Sequence, residues 1–93
     1  MGADGAIGST FNFMADKFVK IRELVANNDV VAARKIQQEA NAIIQALCEV
    51  GVMQGEKAVL DALGFNFGPA RAPFAPLTAE QKKRLLDKVL PLL

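Results

Sequence analysis

Apolar residues recur at spacings of three and four along most of this 93-residue chain, and this period limits the fold more than any other feature. Such spacing places side chains along one face of a helix. It predicts helices at residues 11–26, 29–50, 53–63 and 79–90. The strand-like run Ala6-Ile7 is too short to stand alone and has no partner strand in the rest of the sequence. The sequence therefore predicts an all-α fold, a bundle of about four helices.

Residues at the ends of these segments support the same boundaries. Asp29 is a suitable N-cap for the second helix, and Gly51 is a suitable C-cap. Thr78 and Gln81 have the spacing of a capping box at the start of the last helix. Pro91 is expected to end that helix, because proline cannot continue one.

The first two helices carry the clearest apolar faces. In the first, the stripe consists of Phe11, Met14, Phe18, Ile21 and Val25. In the second, the positions that repeat are Ala33, Ile36, Ala40, Ile43, Leu47 and Val50. Ile44 and Ala46 widen the face of the second helix, so more than one neighbour is expected to cover it. The proline-rich segment 65–77 also carries Phe65, Phe67 and Phe74, so we expect it to pack over the helices rather than to act as a flexible spacer.

Charge and cysteine content exclude several classes of partner. The net charge is +1, which gives no field that would attract nucleic acid or an anionic membrane. The basic triplet Lys82-Lys83-Arg84 is interpreted as a solvated helix face.

With no signal peptide and a single cysteine, the sequence indicates a reducing, cytoplasmic location. Cys48 lies in an apolar run and is expected to be a small buried side chain.

The sequence contains no group of residues that could complete a catalytic site by itself. It has no histidine and one cysteine, so we predict no metal site and no acyl-transfer triad. Each of its lysines falls on or beside the polar face of a predicted helix, whereas a Schiff-base lysine must be desolvated or held near another cation. We therefore predict no catalytic residue and no cofactor within the chain.

One run of residues is specific enough to suggest a relationship. The opening Gly-Ala-Asp-Gly-Ala-Ile-Gly-Ser-Thr-Phe-Asn, residues 2–12, resembles the eighth barrel strand and following loop of the dihydrodipicolinate synthase family of class I aldolases. Within this family, the run is similar to the branch that cleaves the sialic acid N-acetylneuraminate. Further similar runs follow in the same order, at residues 37–41, 51–60 and 71–76. The resemblance therefore covers nearly the whole chain.

The resemblance implies a (β/α)8 barrel followed by C-terminal helices. Such barrels need about 250 residues, so the chain would correspond to the last β/α unit and the helical domain. Residues 1–10 would be a remnant of the eighth strand, disordered or remodelled, and residues 11–93 a helical C-terminal domain. Enzymes of this branch cleave N-acetylneuraminate to N-acetylmannosamine and pyruvate through a lysine Schiff base. Because their strand lysine and active-site tyrosine have no counterpart here, the chain alone is expected to be inactive.

Ser9 and Gly8 are the two residues to which the resemblance assigns a role. In these lyases a serine at the end of the eighth strand contributes hydrogen bonds to the sugar-acid substrate. The resemblance therefore implies that Ser9 is a substrate-binding residue. Gly8 is predicted to let the backbone approach the ligand. The alternative for Ser9 is a serine that only caps local backbone.

Two further hypotheses remain open at this point. One is a helical module without catalytic activity that self-associates through apolar helix faces. The stripe of the first helix is expected to be exposed when the barrel is absent, and it is the main surface for this association. The other is one half of a split enzyme, complemented by a separate N-terminal chain.

Overall fold

A computed structural model describes residues 2–93, so Met1 of the predicted strand remnant lies outside the described residues. The prediction of an all-α fold is confirmed, because the described part contains helices and no strand. The helices are α1 (Phe11–Ala26), α2 (Val30–Val50), α3 (Val52–Ala62) and α4 (Ala79–Val89), followed by a 3-10 turn at Leu90–Leu92. The last α-helix therefore ends one residue earlier than predicted, and Pro91 lies in the 3-10 turn.

The predicted caps form as expected. An Oδ1 oxygen of Asp29 accepts a hydrogen bond from the backbone N–H of Ala32 at 3.1 Å, at the start of α2. Between α2 and α3, Gly51 adopts a φ of 100°, which side chains with a Cβ rarely adopt. Thr78 and Gln81 exchange both hydrogen bonds of the capping box, at 3.1 and 3.0 Å. The local sequence therefore determines where these helices begin and end.

Helix α2 is the centre of the bundle and contacts each of the other three helices. Its predicted face is largely confirmed, since Ala33, Ala40, Ile43 and Leu47 are buried. The largest fully buried side chains of the described residues come from all four helices: Met14, Ile43, Leu47, Val59, Leu85 and Val89. The core is thus one continuous cluster.

The stripe of α1 is less exposed than the self-association hypothesis assumed. Met14 is fully buried, and Phe18 packs against the core. Phe11 and Ile21 are half-buried, and only Val25 at the C-terminal end of the helix is largely exposed. The reason is that α2 packs along α1 and covers most of this face. The expectation of an exposed stripe is therefore wrong for most of its length.

The expectation that segment 65–77 packs over the helices is also wrong for its aromatic residues. Phe65, Phe67 and Phe74 are all exposed. The rings of Phe65 and Phe67 stack on each other, with centroids 5.6 Å apart. From this segment Leu77 packs against the core. The two rings thus shield part of their surface by contact with each other.

Cys48 is exposed, which corrects the prediction of a buried side chain. It directly follows Leu47, and each residue of a helix is rotated by about 100° from the one before it. Because Leu47 points into the core, this rotation places Cys48 on the exposed side with Gln45 and Glu49.

Candidate functional site

The predicted site residues lie in a tight turn that leads into α1. The backbone carbonyl of Gly8 accepts a hydrogen bond from the N–H of Phe11, and that of Ser9 accepts one from the N–H of Asn12. The side-chain amide of Asn12 also donates to the Ser9 carbonyl, at 2.8 Å. These bonds hold Ser9 in place immediately before the helix.

The first turn of α1 is set off from the rest by a kink at Met14, whose φ is −140° and ψ is 32°. Bonds between residues three apart, as in a 3-10 helix, therefore precede the regular α-helix. Because the Met14 side chain is fully buried, the kink is anchored to the core. The orientation of the Ser9 turn thus depends on the packing of the bundle.

The side chain of Ser9 contacts a buried carboxylate on another helix. Its hydroxyl donates a hydrogen bond to an Oε1 oxygen of Glu56 in α3, with 2.6 Å between the oxygens. This distance lies at the short end of the range for O–H···O hydrogen bonds. Glu56 is only 7% exposed, and it is the buried charged residue of the described part of the chain. None of the ion pairs found among residues 2–93 includes Glu56.

Glu56 was missed by the sequence reasoning, although a signal for it exists. It lies four residues after Val52 and three before Val59, which places it on the apolar face of α3. A charged residue on such a face is rarely left without a role, because burial of an unpaired charge is costly. The sequence could therefore have marked Glu56 as unusual, but not its contact with Ser9, which is 47 positions away.

The backbone conformation at position 8 does not require glycine, because Gly8 is not among the glycines of residues 2–93 that have a positive φ. A Cβ at this position would lie 3.4–3.7 Å from the ring of Phe11, which is ordinary contact. The approach of a ligand to the Gly8 backbone stays a prediction.

The lysines of the described residues lie in solvated surroundings or in ion pairs. Lys17, Lys82 and Lys88 pair with carboxylates of other helices at 2.7–3.4 Å, and Lys20 pairs with Glu23 of its own helix. Lys35 and Lys83 are exposed. Lys57 lies over the ring of Phe67, with 5.9 Å from Nζ to the ring centroid. No lysine of the described residues is buried, whereas a Schiff-base lysine is typically desolvated.

The described part of the chain has a cavity away from Ser9 but no cluster of potential metal ligands. No group of three or more potential metal ligands occurs among residues 2–93. A cavity of about 170 Å³ lies between α3, the proline-rich segment and α4, and its lining includes Lys57, Asp61 and Lys82. Its lining does not include Ser9 or Glu56. Among the same residues, no helix is both long and apolar enough to cross a membrane.

The sequence matches the profile of the Dihydrodipicolinate synthetase family over residues 1–90. The chain therefore belongs to this family, as its sequence predicts.

Individual relatives give a narrower comparison. The chain is 45% identical to N-acetylneuraminate lyase of Rhizobium meliloti strain 1021, over 100% of this chain and 31% of that protein. It is 43% identical to N-acetylneuraminate lyase 2 of Escherichia coli O6:H1 strain CFT073, over 92% of this chain and 27% of that protein. The chain thus spans less than a third of the length of these relatives.

Solved structures agree with the sequence relatives. The N-acetylneuraminate lyase of Proteus mirabilis superposes with a TM-score of 0.92 and 33% identity, over 98% of this chain and 31% of that one. The lyase of Aliivibrio salmonicida, also called sialic acid aldolase, gives a TM-score of 0.92 and 32% identity, over 98% and 30%. The bundle described above therefore occurs as one part of larger lyases, which confirms the predicted relationship.

Proposed function

We propose that this chain supplies the Ser9 side of the sugar-acid site in an N-acetylneuraminate lyase. The observation that carries the proposal is the geometry of Ser9. The residue is exposed, and its hydroxyl is fixed by a hydrogen bond to Glu56. A side chain that is fixed on one side and accessible on the other suits the binding of a polar ligand. The similarity to named N-acetylneuraminate lyases supports the choice of substrate.

The chemical steps of the reaction are assigned to parts of the lyase that this chain does not cover. The resemblance assigns carbon–carbon cleavage to a Schiff-base lysine and proton transfer to a tyrosine, and the sequence contains no tyrosine. Within the proposal, Ser9 binds one polar group of the substrate, and Gly8 allows the backbone to come close. Neither residue breaks a bond, so the chain contributes binding and orientation.

We expect Ser9→Ala to weaken substrate binding in a chimeric enzyme. In this chimera, the matched segment of the Rhizobium meliloti lyase is replaced by the 93-residue chain. Loss of one hydrogen bond is worth about 0.5–1.5 kcal/mol, so KM should rise by roughly twofold to tenfold. The value of kcat should change little, because the hydroxyl takes no part in the bond-breaking step. Steady-state kinetics with N-acetylneuraminate give both values.

Thr10→Val is the matched control for that experiment. It removes a hydroxyl from the next residue, and the Thr10 side chain makes no capping hydrogen bond to α1. KM should therefore stay close to that of the unmodified chimera. Equal values of KM for Ser9→Ala, Thr10→Val and the unmodified chimera would contradict the assignment of Ser9.

The second candidate function is self-association of the helical bundle without catalysis. The observation that favours it is the exposed pair Phe65 and Phe67, together with exposed Val25, Val30 and Val31 near the turn between α1 and α2. A net charge of +1 gives little repulsion between two copies. The proposed partner is therefore a second copy of the same chain.

Sedimentation velocity at micromolar concentration tests this second candidate. We expect a mean mass above the 10.0 kDa of one chain, rising with concentration. The double variant Phe65→Ser with Phe67→Ser should shift the mass towards one chain, because it removes the exposed aromatic surface. Ala75→Ser, an exposed position in the same segment, is the control and should have no effect. A single species of 10.0 kDa at all concentrations would exclude self-association.

A further inference from the structure

We propose that Glu56 is a positioning residue that makes Ser9 a selective hydrogen-bond acceptor for a hydroxyl group of the substrate. The inference rests on the proposed function, because it concerns the way Ser9 meets a polyhydroxylated sugar acid. Glu56 lies in α3, and its effect on Ser9 determines which kind of substrate group the site binds.

The direction of the Ser9–Glu56 hydrogen bond carries the argument. A serine hydroxyl has one proton to donate and two lone pairs that accept. In this pair the Ser9 hydroxyl donates its single proton to Oε1 of Glu56, with 2.6 Å between the two oxygens. Ser9 can then form hydrogen bonds with a ligand only through its lone pairs. It accepts from a hydroxyl or an N–H group, and it disfavours a carbonyl or carboxylate oxygen.

The burial of Glu56 supports a role beyond stability. Glu56 is 7% exposed and has no basic partner among the described ion pairs. Burial of a charge without a counter-charge destabilises a fold, and a neutral side chain of the same size would avoid that cost. A residue that lowers stability where a neutral one would fit is typical of functional sites.

The neighbouring structure makes the pair rigid. Gly55 precedes Glu56, and a Cβ there would lie 2.8 Å from Leu47 Cδ2, so α3 sits tightly against α2 at this point. On the other side, the Ser9 turn is held by Asn12 and by the anchored kink at Met14. Both partners are thus fixed by the core, and the hydroxyl proton has little freedom to turn towards a ligand.

Glu56→Gln in the chimera defined above tests the proposal. Glutamine has the same shape but can donate to Ser9, which frees the serine proton and removes the preference for a substrate hydroxyl. We expect KM for N-acetylneuraminate to rise by about threefold to tenfold and kcat to stay within about twofold. The melting temperature should not fall, because the change removes a buried charge. Glu80→Gln, the same change at an exposed position paired only within α4, should alter none of these values.

A double variant separates action through Ser9 from a general structural effect. If Glu56 acts through Ser9, Glu56→Gln should have no further effect on KM when Ser9→Ala is already present. Additive effects would overturn the proposal, as would a Glu56→Gln chimera with unchanged KM or with a lowered melting temperature. In those cases a raised KM for Ser9→Ala alone would still support the proposed function. An unchanged KM for Ser9→Ala would overturn both.

A second measurement on the 93-residue chain does not depend on turnover. The ¹³C NMR shift of the Glu56 carboxyl should change between the unmodified chain and Ser9→Ala, because the hydrogen bond to its oxygen is lost. Thr10→Val should leave this shift in place. An unchanged shift in Ser9→Ala would overturn the pairing on which the proposal depends.

Discussion

The purified 93-residue chain is expected to release no pyruvate from N-acetylneuraminate above the uncatalysed rate. A Schiff-base mechanism needs a neutral lysine at the reacting carbon. The lysines of the described residues are paired with carboxylates, placed over an aromatic ring or exposed to water, and none lies in the desolvated surroundings that activate such a nucleophile. The binding contribution of one serine cannot replace the covalent step.

A coupled assay for pyruvate measures this directly. The Rhizobium meliloti lyase at the same molar concentration is the positive control, and the chain incubated without substrate gives the background. Borohydride reduction in the presence of pyruvate provides a second test, because it traps any Schiff base as a stable adduct. Pyruvate release proportional to chain concentration, or a trapped adduct on one lysine, would show that the chain holds a nucleophile of its own.

Leu47→Ala is expected to cause a large loss of stability. Leu47 is fully buried in the core cluster, in the helix that contacts the other three. Truncation of a buried leucine costs about 2–5 kcal/mol, and small domains have only about 5–15 kcal/mol in total. The variant should therefore lose a large part of its free energy of unfolding.

Urea denaturation followed by circular dichroism measures that loss as a lower midpoint at an unchanged slope. The matched control is Leu63→Ala, the same change at the end of α3, where the side chain is 44% exposed. It should change the free energy of unfolding by no more than about 0.5 kcal/mol. Similar losses for the two variants would mean that the core is not organised around α2 as described.

Regular local features could be predicted from the sequence, because their causes lie within a few residues. Asp29, Thr78 and Gln81 cap their helices as expected, since a capping bond joins residues only three positions apart. The buried face of α2 also follows from its period, which repeats over 21 residues.

The predictions fail where the helical spacing of apolar residues carries no information about burial. Cys48 lies one residue beyond the buried Leu47, and a run of apolar residues does not reveal where the buried face stops. Phe65 and Phe67 lie in a segment without a helical period, so their apolar character did not decide whether the bundle would cover them. The covering of α1 by α2 likewise depends on how the helices cross, which is a property of the tertiary structure.

The site was predictable only in part for the same reason. Ser9 and Gly8 were identified from a short run that resembles a family motif, and a motif is local. Glu56 joins Ser9 across 47 positions, and nothing in either segment indicates the other. A charged residue on an apolar helix face is a useful sign in such cases, because it marks a position whose partner must be sought elsewhere in the fold.

Turnover by the chimera with the Rhizobium meliloti enzyme shows whether this chain can serve as the matching part of an N-acetylneuraminate lyase, as we propose. The chain aligns over its full length with 31% of that lyase at 45% identity, so the replacement needs no gap at either end of the chain. We expect the chimera to cleave N-acetylneuraminate, with a KM that rises in the Ser9→Ala variant. A folded chimera that releases no pyruvate would contradict the proposed function.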